Sequence, residues 1–184
     1  MTPRVPGQPF LWNVAGLLGE AHGAERTYEI DGASIDLGDD LELAAPIVGR
    51  VRLSRTNRGI LARAELHAAL ALECSRCLRE IGLPVDLGLQ EEYLPSIDLA
   101  TGHPLSVDDE ADVLRLSDHH ELDLETSVRE AIQLAEPIAP LCRPDCPGLC
   151  VVCGGLLDAG VHDHPEDDID PRLEALRGFR PGGH

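Results

Sequence analysis

The sequence predicts an α+β protein, in which an antiparallel sheet (a meander or a partly closed barrel) carries one or two packing helices and a C-terminal Cys-rich zinc-binding segment. Three observations predict it. Apolar and polar residues alternate through most of residues 26–94, apolar residues recur at helical spacing in residues 123–136, and four of the six cysteines fall within residues 142–153. A period of two is typical of half-buried strands, and closely spaced cysteines are typical of metal sites. We expect an α+β domain over residues 1–137 and a metal-binding segment with a short terminal helix over residues 138–184.

Composition sets the first limits on the core and on function. Hydrophobic residues make up 43% of the chain and aromatic residues 3%, so we expect a core of Leu, Ile, Val and Ala. The net charge of −18 argues against a non-specific nucleic-acid binder. All fifteen basic residues are arginine, and seven of them lie in residues 50–79 against two glutamates. This basic island is either a contact surface or an ordinary solvated strand face.

The N-terminal stretch "FLWNVAGLLG" (residues 10–19) predicts a short amphipathic helix capped by Asn13. It lacks the basic start and the cleavage site of a signal peptide, and no stretch approaches the length of a membrane span. We therefore expect a cytoplasmic protein. In that compartment clustered cysteines bind metal more often than they form disulfides.

The strands follow from the alternation. Even positions from Ile60 to Leu72 are apolar, and the preceding segment turns Val51 and Leu53 to the same face. "TNRG" (residues 56–59) between the two segments predicts a hairpin turn. Because alternation resumes after residue 77, the pair in "CSRC", Cys74 and Cys77, is expected at a second hairpin tip.

After the strands, the sequence predicts an irregular segment followed by two helices. Residues 95–120 are polar and acidic, which indicates an excursion. "DLETSVREAIQLAEP" then predicts a helix with Asp123 as its N-cap and Pro137 as its stop. "DIDPRLEALRGF" predicts a short terminal helix starting from Asp170.

The spacing Cys142-x3-Cys146-x3-Cys150-x2-Cys153 is that of a metal site, because zinc takes four such ligands in a tetrahedron. The ordinary alternative is a set of small buried thiols. Two ligand arrangements are open, and the shorter loop closure slightly favours a closed site from these four cysteines. In the other, Cys74 and Cys77 face Cys150 and Cys153, and Cys142 and Cys146 recruit His162 and His164. A solvated tail is the alternative for the two histidines.

The chain shows no Ser/His/Asp order, P-loop or dinucleotide-binding motif. Four sulfur ligands leave no open metal position for water, so the cysteine segment is predicted to be structural and non-catalytic. A rival hypothesis is a thiol–disulfide enzyme or redox sensor that uses Cys74–Cys77 or Cys150–Cys153.

Several motifs carry a family resemblance: C-x-R-C-L before a strand, E-E-Y-x-P after it, P-I-x-P-L-C at a helix end, and C-x3-C-x-G-L-C-x-x-C-G. Over roughly residues 10–179 the chain resembles the large ribosomal RNA subunit accumulation family, YceD. The resemblance implies a bacterial or plastid protein needed for synthesis, processing or stability of 23S ribosomal RNA, and a metal-binding character. It also implies that Cys142, Cys146, Cys150 and Cys153 are metal candidates, with Cys74 and Cys77 as the hairpin pair. Some members carry a further Cys pair where this chain has His162 and His164.

We therefore expect a non-enzymatic, zinc-stabilised factor for 23S ribosomal RNA, with no membrane partner and no small-molecule substrate. The expected partner is pre-ribosomal RNA or a ribosomal protein. RNA would contact an arginine face, because the planar guanidinium can bond two phosphate oxygens at once. That face comprises Arg50, Arg52, Arg55, Arg58 and Arg63.

Overall fold

In the computed structural model, residues 7–38, 41–105, 113–164, 172, 173 and 176 are described. A five-stranded sheet of order β2-β3-β4-β5-β6 dominates them, beside a two-stranded sheet of β1 and β7 and two helices. The elements are β1 (Leu11–Asn13), α1 (Ala15–Leu18), β2 (Glu25–Ala33), β3 (Glu42–Arg55), β4 (Ile60–Glu73), β5 (Glu80–Leu94), β6 (Leu114–Arg115), β7 (Glu121–Asp123) and α2 (Glu125–Ala135).

Strands β2 to β5 form an antiparallel meander, in which each strand pairs with the next one along the chain. The short β6 pairs in parallel with the end of β5, through Tyr93 and Leu94. The predicted α+β class is confirmed. The sheet is mixed because of β6, and it stays open among the described residues, so the structure selects the meander over the partly closed barrel.

The predicted turn at residues 56–59 joins β3 to β4. The Thr56 backbone N–H donates to the Gly59 carbonyl at 3.0 Å. Only glycine fits at position 59, because a Cβ there would lie 2.0 Å from the Tyr93 carbonyl oxygen. This close approach sets β4 against the end of β5.

The core lies on one face of the sheet. The even positions of β4 from Ile60 to Leu70 are buried, as the alternation predicted, and α2 contributes Val128 and Ile132. Most of the core is aliphatic, but the aromatic residues Phe10, Trp12 and Tyr93 are also buried in it.

The prediction of a helix over residues 10–19 was partly wrong. Leu11–Asn13 form β1, which pairs with β7, and only Ala15–Leu18 are helical. Residues 11–13 form a strand and not a helix because the strand buries Trp12 completely in the core. There the centroid of its ring lies 5.5 Å from that of Tyr28. The predicted cap, Asn13, is one residue too early, because the N-cap position of α1 is Val14; Asn13 Oδ1 does accept the Ala15 N–H at 3.1 Å.

Helix α2 lies within the predicted range of residues 123–136. The N-cap position is Leu124, and the Asp123 carboxylate accepts the Glu125 backbone N–H at 2.8 Å. Residues 95–120 do carry little regular structure where described, apart from β6 and a bridge between Ile97 and Pro104. The predicted start of the terminal helix, at Asp170, lies outside the described residues. Among those described, no helix has the length and apolar character of a bilayer crossing.

Candidate metal centres

The first cluster joins the β4–β5 hairpin tip to the C-terminal segment. Cys74 and Cys77 at the tip meet Cys142 and Cys146, and their four sulfurs all lie within 4.8 Å of one another. The Cys74 and Cys146 sulfurs are 3.8 Å apart, as are those of Cys77 and Cys142.

These separations fit a tetrahedral thiolate site. With Zn–S bonds of about 2.3 Å, the sulfurs of a zinc tetrahedron are about 3.8 Å apart. A disulfide would need about 2.05 Å, and all six cysteines are free thiols. Cys74, Cys77 and Cys146 are buried and Cys142 is half-buried, so the donors converge on a point shielded from solvent.

Backbone hydrogen bonds build this cluster before any metal is considered. At the tip, the Cys74 N–H donates to the Arg79 carbonyl and the Leu78 N–H to the Cys74 carbonyl, both at 2.9 Å. The incoming segment is held by the Ser75 N–H, which donates to the Pro140 carbonyl at 2.8 Å. The Arg76 guanidinium donates to the Cys146 carbonyl at 2.9 Å. The tip and the segment are therefore aligned by one backbone hydrogen bond and one hydrogen bond from the Arg76 side chain.

Two thiols of the first cluster, those of Cys74 and Cys142, have pKa values shifted in opposite directions. The pKa of Cys74 is lowered to about 6, chiefly because the backbone N–H of Cys142, and next that of Arg76, hydrogen bonds to its sulfur. The pKa of Cys142 is raised to about 12 by its hydrogen bond with Cys146 and by burial. Without metal, Cys74 therefore ionises before Cys142, and binding of a metal to thiolates would release the protons still bound.

The second cluster follows directly in the chain and consists of Cys150, Cys153, His162 and His164, whose donor atoms lie within 4.8 Å of one another. The Cys153 sulfur is 3.4 Å from His162 Nδ1. A zinc ion with sulfur and nitrogen ligands places such a pair about 3.6 Å apart. The two cysteines sit on a tight turn, closed by the Gly154 N–H donating to the Cys150 carbonyl at 2.8 Å.

Both histidine rings are prepared for ligation. His162 Nε2 lies 2.9 Å from the Leu156 carbonyl, so it carries the proton and leaves the Nδ1 lone pair facing Cys153. In a metal-ligating histidine, the ring nitrogen that does not bind the metal typically donates a hydrogen bond to a carbonyl or carboxylate. His164 Nε2 is buried and has no hydrogen-bond partner among the described residues. A metal bond would satisfy that nitrogen, so the second donor set also fits a tetrahedral ion.

All eight predicted metal candidates thus lie in the two clusters, but the grouping differs from both arrangements open at the sequence level. Cys142 and Cys146 join Cys74 and Cys77, whereas Cys150 and Cys153 join the histidines. The structure therefore does not group Cys142, Cys146, Cys150 and Cys153 into one closed site, as the shorter loop closure had favoured. Gly148, at a φ of +84°, packs its backbone against Arg76 between the two pairs, which directs the first pair to the tip and the second away from it. The shorter loop closure therefore does not decide the grouping.

Three of the five predicted RNA-contact arginines, Arg50, Arg52 and Arg55, contact acids or backbone carbonyls. Arg50, Arg52 and Arg63 occupy the solvent face of β3 and β4. Arg50 pairs with Glu65 at 3.0 Å, Arg52 with Glu25 at 3.9 Å, and Arg63 donates to Gln90 at 2.9 Å. Arg55 is half-buried and donates to the Leu18, Thr56 and Gly59 carbonyls, whereas Arg58 is exposed in the turn. Neighbouring strands therefore give this face a mixed charge.

Comparison with known proteins gives the family context. The family described as "Large ribosomal RNA subunit accumulation protein YceD" matches residues 62–180, which include both clusters. Uncharacterized proteins of Mycobacterium tuberculosis and Mycobacterium bovis are each 36% identical over 126 residues, covering 68% of this chain and 58% of the relative. An uncharacterized protein of Mycobacterium leprae is 33% identical over 134 residues, covering 71% and 58%. The chain thus spans less than two thirds of these relatives, and no solved structure matches it.

Proposed function

Because the chain belongs to the YceD family of large ribosomal RNA subunit accumulation proteins, we propose that it is a non-enzymatic, zinc-stabilised factor that supports 23S ribosomal RNA in large-subunit biogenesis. The family supplies the process. The observation that carries the molecular part is the pair of four-donor clusters.

The donor sets favour zinc among the metals. Four sulfurs, or two sulfurs and two imidazole nitrogens, within 4.8 Å of one another suit Zn²⁺, whereas Mg²⁺ and Ca²⁺ take oxygen ligands. Bound zinc would act as a cross-link between the hairpin tip and the C-terminal segment. Four protein ligands per ion leave no position for water, which supports a structural role over a catalytic one.

The partner is either RNA or a basic protein. Contact of RNA with Arg50, Arg52 and Arg63 stays a prediction, and Glu25 and Glu65 beside them weaken it. The net charge of −18 complements a basic ribosomal protein better than a phosphate backbone. We therefore favour a protein partner in the cytoplasm, within the assembling large subunit.

A thiol–disulfide function is the competing hypothesis, and one observation favours it. The lowered pKa of Cys74, caused chiefly by the Cys142 backbone N–H, is a property of reactive cysteines. Cys74 is fully buried, however, so a disulfide substrate has no direct access to its sulfur. The shielded position supports metal ligation instead.

Elemental mass spectrometry on untagged protein, paired with thiol titration, tests the metal part. We expect two zinc ions per chain and six thiols that react only after chelation. Protein without metal and with six freely reactive thiols would overturn the zinc proposal. A single fast-reacting thiol in metal-free protein would favour the redox hypothesis.

Deletion of the gene in its host tests the ribosomal part, with the ratio of 23S to 16S ribosomal RNA as the readout. The 16S RNA serves as the internal control. We expect the ratio to fall on deletion and to recover with the wild-type chain, but not with a Cys74→Ser, Cys142→Ser chain. An unchanged ratio in the deletion strain would contradict the proposed role.

A further inference from the structure

A groove of about 380 Å³ runs between α2 and β5. Its floor is apolar, and the exposed side chain of Leu134, 86% accessible, stands at its side. Its rim is acidic, with Glu91 and Glu130 on the groove side and Asp86, which also contacts His67, at the strand edge. No basic side chain lines it among the described residues. The remaining apolar lining residues are Leu87, Leu89, Ala131 and Ala135.

Among the described residues, one edge of the same strand is largely unpaired beside the groove. β5 pairs with β4 in unbroken register from Glu80 to Tyr93. On its other side, among the described residues, it pairs only with β6 through Tyr93 and Leu94. Apart from β4, no described strand pairs with β5 before Tyr93, so an added strand could use the backbone groups of this edge.

The register shows which backbone groups face that edge. The Cys74 N–H donates to the Arg79 carbonyl, so odd-numbered residues of β5 bond to β4. The even-numbered residues then direct their N–H and C=O groups outward. Pro84 fits this pattern, because proline within a sheet turns its nitrogen to the free side of an edge strand. Beyond it, Asp86, Gly88 and Gln90 offer three consecutive outward-facing pairs of donor and acceptor.

We propose that this groove binds an extended, basic segment of a partner protein, which adds to β5 as a further strand. Apolar side chains of the segment would cover the floor between β5 and Leu134, and basic side chains would meet the acids on both sides of the edge. The inference rests on the groove alone and does not depend on the metal clusters or on the ribosomal role.

Charge decides between this occupant and two others. RNA would bring phosphates to a rim of Asp86, Glu91 and Glu130, which repels them. A second copy of the chain would bring a further net charge of −18 to the same rim. A basic polypeptide is the class that gains from both the acids and the apolar floor.

The probe is a fluorescent nine-residue peptide, RKVRVKVRK, which turns three valines to one face of a strand and basic residues to the other face and both ends. The comparison probes are the same peptide with glutamate at every basic position, and a single-stranded RNA nonamer. Binding is followed by fluorescence anisotropy on the full chain with its metal content recorded. A third comparison probe is the basic peptide with backbone N-methyl groups at alternate residues, which block strand pairing in one register.

We expect saturable binding of the basic peptide only. N-methylation in one register should lower the affinity about tenfold or more, and so should Leu134→Arg or Glu130→Arg in the chain. Glu29→Arg, at an exposed position of β2 on the opposite face of the sheet, and Glu42→Arg, at an exposed position of β3, are the controls and should change affinity by less than about twofold. No saturable binding, equal losses in the control variants, or RNA binding lost with Leu134→Arg would overturn the proposal. A concentration-dependent dimer abolished by Leu134→Arg would overturn it in favour of a second copy.

Discussion

The Arg79 guanidinium lies 2.5 Å from the Asp158 carboxylate. Arg79 follows the first cluster at the hairpin tip, and Asp158 lies between Cys153 and His162 of the second. The other carboxylate oxygen of Asp158 lies 3.3 Å from Arg143. The Arg79 hydrogen bond lowers the pKa of Asp158, so the bridge is charged at neutral pH. One side chain thus fixes the second cluster against the first.

Replacing this carboxylate should loosen the second cluster. In Asp158→Asn the amide keeps the shape but loses the charge that holds Arg79 and Arg143. We expect a chelator to remove the second zinc faster, while the first is released at the wild-type rate. Stopped-flow release into a colorimetric chelator measures both phases. Asp118→Asn, the same change in an exposed turn, is the control. Equal release rates in Asp158→Asn and wild type would show that the Asp158 ion pairs do not hold the second cluster in place.

The two clusters should bind metal separately, because they share no donor. Cys146→Ser should leave one zinc, and since Cys146 is buried against the hairpin tip, it should also lower the free energy of unfolding. Cys153→Ser should also leave one zinc, but with sheet stability near wild type, because Cys153 is exposed. Metal analysis and denaturant titration measure the two effects. Loss of both ions in either variant would show one coupled site.

Alkaline pH should destabilise the chain through Tyr93. Burial raises the pKa of Tyr93 above its ordinary value of about 10, so the folded state holds this proton more tightly than the unfolded state. The resulting stability is complete below about pH 10 and is lost as pH rises through the raised pKa. Tyr93→Phe should remove this alkaline loss.

The same variant loses the hydrogen bond from the Tyr93 hydroxyl to the Asp123 carbonyl, 3.0 Å away. We therefore expect it to be about 1 kcal/mol less stable at neutral pH. Tyr28→Phe is the control, and urea midpoints between pH 7 and 11 give both quantities. An alkaline loss that is as steep in Tyr93→Phe as in wild type would contradict the assignment.

Local patterns in the sequence predicted most of the sheet and singled out the residues that form the two candidate clusters. Alternation from Ile60 to Leu72 and the glycine-containing turn before it determine two strands and their hairpin, because both signals are local. The cysteine pairs were visible for the same reason. The division of the donors was not, since it depends on where the Pro140 carbonyl meets Ser75, a contact across more than sixty residues.

Two further features needed the register of distant segments. β1 is three residues long and pairs with β7 more than a hundred residues away, so its sequence carries no period of its own. In the sequence, the arginines of β3 belong to a basic island in which only two glutamates occur. Glu25 comes beside Arg52 only when β2 pairs with β3, and Glu65 beside Arg50 only when β4 does. Surface charge is a property of the paired sheet, which a linear charge count does not show.

At Gly49, the backbones of β3 and β4 approach each other closely, and a substitution there tests this approach. Gly49 has a φ of +142°, and a Cβ there would lie 2.2 Å from the Glu65 carbonyl oxygen. Gly49 pairs with Ile30 on one side and with Leu66 on the other, so the backbone cannot move away from one strand without disturbing the other. We expect Gly49→Ala to lower the free energy of unfolding by about 2 kcal/mol or more.

Chemical denaturation followed by the fluorescence of Trp12, the single and fully buried tryptophan, measures this loss. Gly82→Ala in β5 is the matched control, because its Cβ would meet only the Ala44 methyl group, at an ordinary 3.5 Å. Its stability should stay within about 1 kcal/mol of wild type. If both variants unfold at the same denaturant concentration, β3 and β4 do not approach as closely at Gly49 as the structure places them. The register that sets Arg50 beside Glu65 would then need revision too, since those residues are the next pair along the ladder.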